Sequence, residues 1–286
     1  NKNDKELCGY MQNTIGYTYK LLCEENTQQK ETDIQKENKW YHKLWKNIVR
    51  YCIKGEGITT TKDTENSIED WKRQAETYLK KSVENNPKGR YHQNLGAYYA
   101  TIRDYDKALE QYKLAFNAEK RDDKIYNLIG SVLLYRAEMK LGISERFQKG
   151  IVLSEITLDK IDEEERLNIQ NDIKQAYEWL NLAIKQVNPI INAYYNYSKA
   201  CIYDSLFLGG GSQKMSEADK YLNTVEIIWN MNDSQKPKGY LYTRRNYWEA
   251  NKEYDKALEI NQVIMNDDNS GDARAAERVY DSKKRN

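Results

Sequence analysis

The sequence predicts an all-α protein built from antiparallel helix pairs, and three observations indicate this class. The 286 residues include only 3 Pro, and a scarcity of proline suits long helices. Apolar and small residues recur in steps of three to four, which is the spacing of one helical face. The six residues YDKALE occur twice, at 105–110 and 254–259. Such repetition indicates a structural repeat within the chain.

Composition and charge restrict the class of partner. The chain has 45 Lys+Arg and 44 Asp+Glu, so no global field favours nucleic acid or an anionic membrane, and no nucleic-acid partner is expected. The hydrophobic share is 39% and the mean hydropathy is −0.96, which predicts a thin, extended core. No apolar run approaches the ~20 residues of a membrane span. With no visible signal-peptide core, we expect a cytoplasmic protein.

Residue types with catalytic or ligating chemistry form no recognisable site. The 4 Cys include no CxxC pair, so we expect small buried side chains in a reducing compartment. The spacing neither demands nor excludes a disulfide between Cys8 and Cys23. Neither of the 2 His has a second ligand placed beside it, so no metal or cofactor is expected. The stretch GGGS at 209–212 lacks the Gly-Lys-Ser/Thr of a phosphate loop and predicts a flexible turn. With no catalytic triad either, we expect no enzyme.

The stretch NLGAYYATIRDYDKALEQYKLAF (94–116) contains the clearest repeat. Its apolar and small residues form two helical faces, separated by the polar turn IRDYD. The six positions are Leu95, Gly96, Tyr99, Ala108, Tyr112 and Ala115. Gly96 and Ala108 allow a close approach of two helices, while the larger side chains fill the space around them.

These six residues resemble the tetratricopeptide repeat family, whose pattern has Leu-Gly, Tyr, Ala, an aromatic and Ala at these spacings. The pattern recurs with a period of 34: Gly130 follows Gly96 by 34 residues (130 − 96), and Pro189 follows Pro87 by 102. The family's terminal Pro is replaced by Lys120 in the best copy. The resemblance implies a right-handed solenoid of helix pairs with a concave inner surface.

The chain then divides into three parts. Residues 1–65 form N-terminal helices that cap or begin the solenoid, residues 66–265 form the repeats, and residues 266–286 form a C-terminal capping helix. The predicted helices are 4–25, 31–54, 66–85, 89–102, 105–119, 123–141, 171–187, 190–208, 214–229, 237–250, 253–265 and 271–284. Residues 142–170 fill one period without the expected small and aromatic positions. We interpret them as an insertion rather than a degenerate repeat, and we expect them to protrude.

In the resembled family, peptides bind along the first helices of the pairs. That implies a groove lined by Arg90, Gln93, Asn94, Lys124, Asn127 and Ser131. Asn side chains can pair with a peptide backbone, and Lys or Arg can bind carboxylates. The expected function is therefore a non-catalytic scaffold that binds another protein or a peptide segment, as the regulatory part of a larger protein or alone. The alternative is a cell-envelope protein that binds a small ligand or glycan on its Trp and Tyr side chains. Oligomeric state is left open.

One further pair of residues departs from the repeat. Aligned on YDKALE, Arg244 and Arg245 occupy the positions of Leu95 and Gly96. Those positions should be buried. Either the first helix of the last pair (237–250) is rotated, or these arginines have partners.

Overall fold

A computed structural model describes residue 12 and residues 68–118, 123–230, 236–267 and 271–285. These residues contain ten α-helices and no strand. The prediction of an all-α fold is therefore confirmed for the described part of the chain. The predicted helices 4–25 and 31–54 lie outside it, apart from Gln12. The chain divides into two compact units, Asn1–Arg121 and Asp122–Asn286.

The first unit has three described helices. They are α1 (Ile68–Asn85), α2 (Gly89–Thr101) and α3 (Tyr105–Ala118). Helix α2 packs on both α1 and α3. A Cβ atom added to Gly96 would lie 2.7 Å from the Tyr112 ring and 3.2 Å from the Ala108 carbonyl oxygen. The prediction that Gly96 and Ala108 lie at a close helix crossing is confirmed, since Ala108 is fully buried.

The second unit has seven described helices. They are α4 (Asp123–Lys140), α5 (Glu163–Ile184), α6 (Ile191–Phe207), α7 (Gly211–Asn230), α8 (Lys238–Ala250), α9 (Tyr254–Asp267) and α10 (Gly271–Lys284). The pairs are α4–α5, α6–α7 and α8–α9, and α10 packs on α9. Each second helix also contacts the next first helix, and the first helices α4, α6 and α8 contact one another in order.

The two copies of YDKALE occupy the same place in their helix pairs. Each begins the second helix of its pair, in α3 and in α9. Each is preceded at the same distance by a residue with positive φ, Arg103 (63°) or Lys252 (61°), which ends the first helix in a tight turn. Both first helices have 13 residues and both second helices have 14. The repeated sequence therefore encodes one turn and the start of one packed helix.

Small and aliphatic side chains also line the buried sides of α1, α5, α7 and α9. Their exposed fractions are at most 2% for Ala75, Leu79, Ala176, Leu180, Ala218, Leu222, Val225, Ala257 and Ile264. Gly130 repeats the role of Gly96, because an added Cβ would lie 2.5 Å from Leu180 Cγ. This contact joins α4 to α5 across the intervening segment. The helix before residue 141 therefore packs directly on residues 171–187, although 142–170 lie between them in sequence.

Residues 142–162, which we call the strap, connect these two helices. Gly142 ends α4 with a φ of 62°, and the strap contains two short 3-10 turns, Ile143–Glu145 and Leu153–Glu155. Helix α5 begins at Glu163, where Asp162 Oδ1 accepts a hydrogen bond from the Glu165 amide at 3.0 Å. The helix therefore begins eight residues before the predicted start at 171.

The expectation that residues 142–170 protrude is wrong. Val152 and Leu153 in the strap are fully buried, and Phe147 is 3% exposed. Val152 and Phe147 share a core cluster with Ala276, Val279 and Tyr280 of α10. The strap therefore turns back on the end of its own unit, because its aliphatic and aromatic side chains have an apolar recess to fill there.

Candidate functional site

Three of the predicted groove residues lie on α2 in the first unit. Arg90 is exposed, whereas Gln93 and Asn94 are half-buried. Steps of three and four residues place them on one side of the helix. This side carries a cation and two amide groups, which suit a peptide carboxylate and a peptide backbone respectively.

The other three lie on α4 in the second unit. Lys124 is exposed, but Asn127 and Ser131 are 5% and 8% exposed. Asn127 Oδ1 accepts a hydrogen bond from Asn196 Nδ2 at 3.0 Å, and the Ser131 hydroxyl donates to the Leu128 carbonyl oxygen. Asn127 is thus covered by α6, whereas Ser131 is buried and bonds within α4. The groove formed by all six residues stays a prediction.

Arg244 and Arg245, which stand where the repeat has Leu and Gly, are both buried and paired. Arg244 Nη1 donates to Asp219 Oδ1 at 2.6 Å on α7. Arg245 Nη1 donates to Asn261 Oδ1 at 2.8 Å, and its Nη2 donates to Asp272 Oδ2 at 3.2 Å. Buried arginines with such partners join α8 to the helices beside it. The alternative in which they have partners is the correct one.

An ion pair that no sequence pattern indicated is almost fully buried within the described residues of the second unit. Arg146 of the strap and Glu249 of α8 are 4% and 0% exposed. Arg146 Nε and Nη2 donate to the two carboxylate oxygens of Glu249 at 3.1 and 3.0 Å. Nη2 also donates to Asn246 Oδ1 at 2.9 Å. This is the two-pronged geometry in which a guanidinium binds a carboxylate most strongly.

Glu249 has further donors on its other side. The Leu153 amide donates to one carboxylate oxygen, and the Tyr280 hydroxyl donates to the other at 3.0 Å. One buried carboxylate thus binds the strap at two points and α10 at a third. Such a charge is tolerable in a low-dielectric interior only because these donors replace the water it has lost.

The ionic contacts continue onto α4 and α6. Glu138 accepts from the Tyr203 hydroxyl at 2.5 Å and forms an ion pair with Lys199 at 3.0 Å. The positive charge of Arg146 opposes the rise in pKa of both Tyr203 and Lys199. We call these residues together with Glu249 the ionic cluster. It links the first helices of all three pairs with the strap.

The cations and tyrosines around the ionic cluster have raised pKa values. Burial alone would lower the pKa of Arg146, but the Glu249 carboxylate outweighs burial and raises it. The pKa of Lys199 is raised in the same way by Glu138. Burial, reinforced by the neighbouring carboxylates, raises the pKa of Tyr203 and Tyr280 well above the usual value.

An aromatic cluster fills the contact between α5, α6 and α7. Tyr197 is 1% exposed, and its ring lies 5.1 Å from that of Tyr177 and 5.0 Å from that of Tyr221. Its hydroxyl donates to Glu217 Oε1 at 2.6 Å, while Lys214 Nζ lies 3.6 Å from the centre of the Tyr177 ring. These tyrosines pack against one another as core side chains with polar ends.

The sequence contained a weak signal for Glu249 that was missed. Aligned on YDKALE, Glu249 corresponds to Ala100 (249 − 257 + 108), so a carboxylate replaces a small residue on a packed helix. That substitution requires a buried cation. The partner could not be identified, since Arg146 lies 103 residues away in a segment without a repeat pattern.

The described residues were also compared with what a metal site and a membrane span require. Among the described residues, no group of three or more His, Cys, Asp or Glu is placed to hold a metal ion. No helix in that part of the chain is long and apolar enough to cross a membrane. Neither a protein-family model nor a curated protein sequence matches the chain.

Proposed function

We propose that the chain is a non-catalytic scaffold that binds an extended segment of another protein along the first helices of its pairs. The proposal includes the finer fold, a right-handed solenoid similar to tetratricopeptide repeats. It also includes a cytoplasmic setting, with which the fully buried thiol of Cys201 agrees. The surfaces that we assign to the partner are the α2 side with Arg90, Gln93 and Asn94, and Lys124 on α4.

The observation that best supports this function is the strap on α8. A first helix already holds an irregular piece of chain through an arginine, a backbone amide and neighbouring apolar contacts. Peptide recognition by helical repeats uses the same elements, namely a few anchors on a rigid face. The exposed Arg90 and Lys124 would add attraction for acidic groups on a partner.

The test begins with recovery of a partner by the full chain and identification of its binding segment. Calorimetry with that segment then compares the wild type with two variants, Arg90→Ala/Gln93→Ala/Asn94→Ala and Lys124→Ala. A neutral hydrogen bond contributes about 1 kcal/mol and one to a charged group about 1.5–3 kcal/mol, so the triple variant should bind at least about tenfold more weakly.

The matched control is Glu110→Ala/Lys113→Ala, which removes two exposed side chains from α3. It should bind as the wild type does. Unchanged affinity in the triple variant, or an equal loss in the control, would show that the α2 side does not bind the partner.

A further inference from the structure

We propose that the strap is an internal occupant of a binding face on α8. When the strap is displaced, this face binds an arginine followed by apolar residues in an irregular segment of another protein. The inference rests on the proposed function and assigns the partner's chemistry at the C-terminal helix pair. The face consists of Asn246 and Glu249 together with the apolar recess formed with α9 and α10.

Two side chains of α8 bind the Arg146 guanidinium. Glu249 binds its Nε and Nη2, and Asn246 accepts a further hydrogen bond from Nη2. The remaining prong, Nη1, donates to the strap's own Ile143 carbonyl oxygen at 2.8 Å. A lysine could not match this geometry, because an ammonium group cannot bind both carboxylate oxygens with parallel N–H groups.

The same face also binds the segment that follows Arg146. Val152 is extended, with φ −96° and ψ 159°, and the next amide, that of Leu153, donates to Glu249. Val152 packs in the recess with Ala276 and Val279 of α10. Phe147 meets the Tyr280 ring edge to face at 5.6 Å. The face therefore selects an arginine and apolar side chains, the apolar part carried by a segment that is extended at Val152 after a turn.

The strap is attached to the helices mainly through side chains. Between its two ends, which bond to the Met139 carbonyl oxygen and the Arg166 amide, its backbone hydrogen bonds close turns within the strap itself, such as Ile151 N to Arg146 O at 2.9 Å and Ile156 N to Leu153 O at 3.2 Å. Its attachment to α8 and α10 depends on the anchors given above and on the ion pair between Glu155 and Lys283 of α10. Gly142 and Gly150 have φ of 62° and 70°, conformations at which the chain can turn easily. A segment held in this manner can open at lower cost than the helices that it covers.

The experiment uses a synthetic peptide of residues 143–158 with a fluorescent label, and the full chain as receptor. Arg146→Ala weakens the strap and leaves Glu249 without its cation, so this variant should bind the peptide about tenfold or more tightly than the wild type does. The peptide should also raise the thermal midpoint of Arg146→Ala. A peptide with Lys or Ala in place of its arginine should do neither. Arg278→Ala, an exposed arginine on α10, is the matched control and should behave as the wild type does.

Hydrogen exchange on the wild type tests the opening without any variant that could misfold. The amides of Ile151, Leu153 and Ile156 should exchange as a group, and about tenfold or more faster than the core amides of α8. Equal protection of the strap and α8 would overturn the inference, as would a folded Arg146→Ala protein that does not bind the peptide. If the peptide binds but variants on α2 leave partner affinity unchanged, only the proposed function fails. If a partner binds through α2 and the peptide never binds, only this inference fails.

Discussion

Glu249 and Arg146 lie 103 residues apart in sequence and form a two-pronged ion pair that water hardly reaches. Glu249 is 0% exposed and accepts hydrogen bonds from Arg146, from the Leu153 amide and from the Tyr280 hydroxyl. The pair joins the strap to the last helix pair of its unit. Removal of either residue would leave the other buried without its opposite charge, which is costly in free energy.

This dependence predicts strong coupling between Arg146→Met and Glu249→Leu. Each single variant should lose about 3–5 kcal/mol in the free energy of unfolding, whereas the double variant should lose much less than the sum. Urea unfolding of the four proteins gives the coupling energy directly. Additive losses would mean that the pair does not act as a unit.

The strap also contains a matched control for this cycle. Glu145 and Lys149 form an ion pair at 3.0 Å, with side chains 60% and 58% exposed. The corresponding cycle with Glu145→Leu and Lys149→Met should give a coupling of at most about 1 kcal/mol, because solvent screens the pair.

A second prediction concerns the crossing of α2 and α3. Ala108→Leu adds three carbon atoms at a fully buried position, beside the contact between Gly96 and the Tyr112 ring. Overpacking should lower the free energy of unfolding by about 1–3 kcal/mol. Ala118→Leu adds the same atoms at an exposed position of α3 and should change stability little. Equal thermal midpoints for both variants would contradict the close crossing.

Sequence reasoning located the helix pairs because their signal is local. Small residues such as Ala108 and Ala257 recur at fixed steps, and the turns that precede them have the same length. The strap has no such periodicity, and a segment without it is expected to protrude from the helix pairs. Its buried side chains are specified instead by long-range complementarity, as between Phe147 and Tyr280. A single sequence does not reveal which distant residues share a recess.

The candidate site shows the same division. The helical spacing of Arg90, Gln93 and Asn94 could be predicted, and α2 places them on one side. The burial of Asn127 could not, because it depends on Asn196, which lies 69 residues further along the chain. Repeat position defines a face of a helix but does not identify what covers that face.

The packing of the strap leads to a third prediction. Replacement of residues 143–161 by a Gly/Ser linker should destabilise α8, α9 and α10, because Glu249 would lose its cation and the recess with Val279 and Tyr280 would be opened. Hydrogen exchange should show reduced protection in these helices. Substitution of the exposed residues Gln148, Lys149 and Thr157 by Ser is the control and should leave protection unchanged. Unchanged protection of α8, α9 and α10 after the replacement would show that the strap is not needed for their stability.

A fourth prediction concerns acid pH. The hydrogen bond from Lys236 Nζ, at 2.7 Å, is the main cause that lowers the pKa of Glu226, with burial opposing it. Because the folded-state pKa lies below the unfolded value of about 4.3, the pair stabilises the fold above that pH. This contribution is lost as the pH falls through the folded-state pKa. Glu226→Gln should flatten that part of the stability curve between about pH 5 and pH 2.

The measurement for Glu226 is the urea midpoint as a function of pH. Lys236→Met should flatten the same acid region, since it removes the donor that stabilises the carboxylate. Glu164→Gln provides a comparison at an exposed carboxylate on α5. If Glu226→Gln retains the full acid dependence of the wild type, the Lys236 contact does not stabilise the folded state.

The last prediction separates structure from binding at Asn127. Asn127→Leu should cost about 1–3 kcal/mol in the free energy of unfolding, because it leaves the Asn196 amide buried without its acceptor. The double variant Asn127→Leu/Asn196→Leu should recover much of that loss, since both polar groups are then replaced by apolar ones. Asn192→Leu, at an exposed position of α6, is the control for added apolar surface. The decisive comparison is urea unfolding of these proteins beside calorimetry with the recovered partner segment. A stable Asn127→Leu protein that no longer binds the segment would place Asn127 in the groove, whereas lost stability with retained affinity would assign it to the packing of α4 on α6.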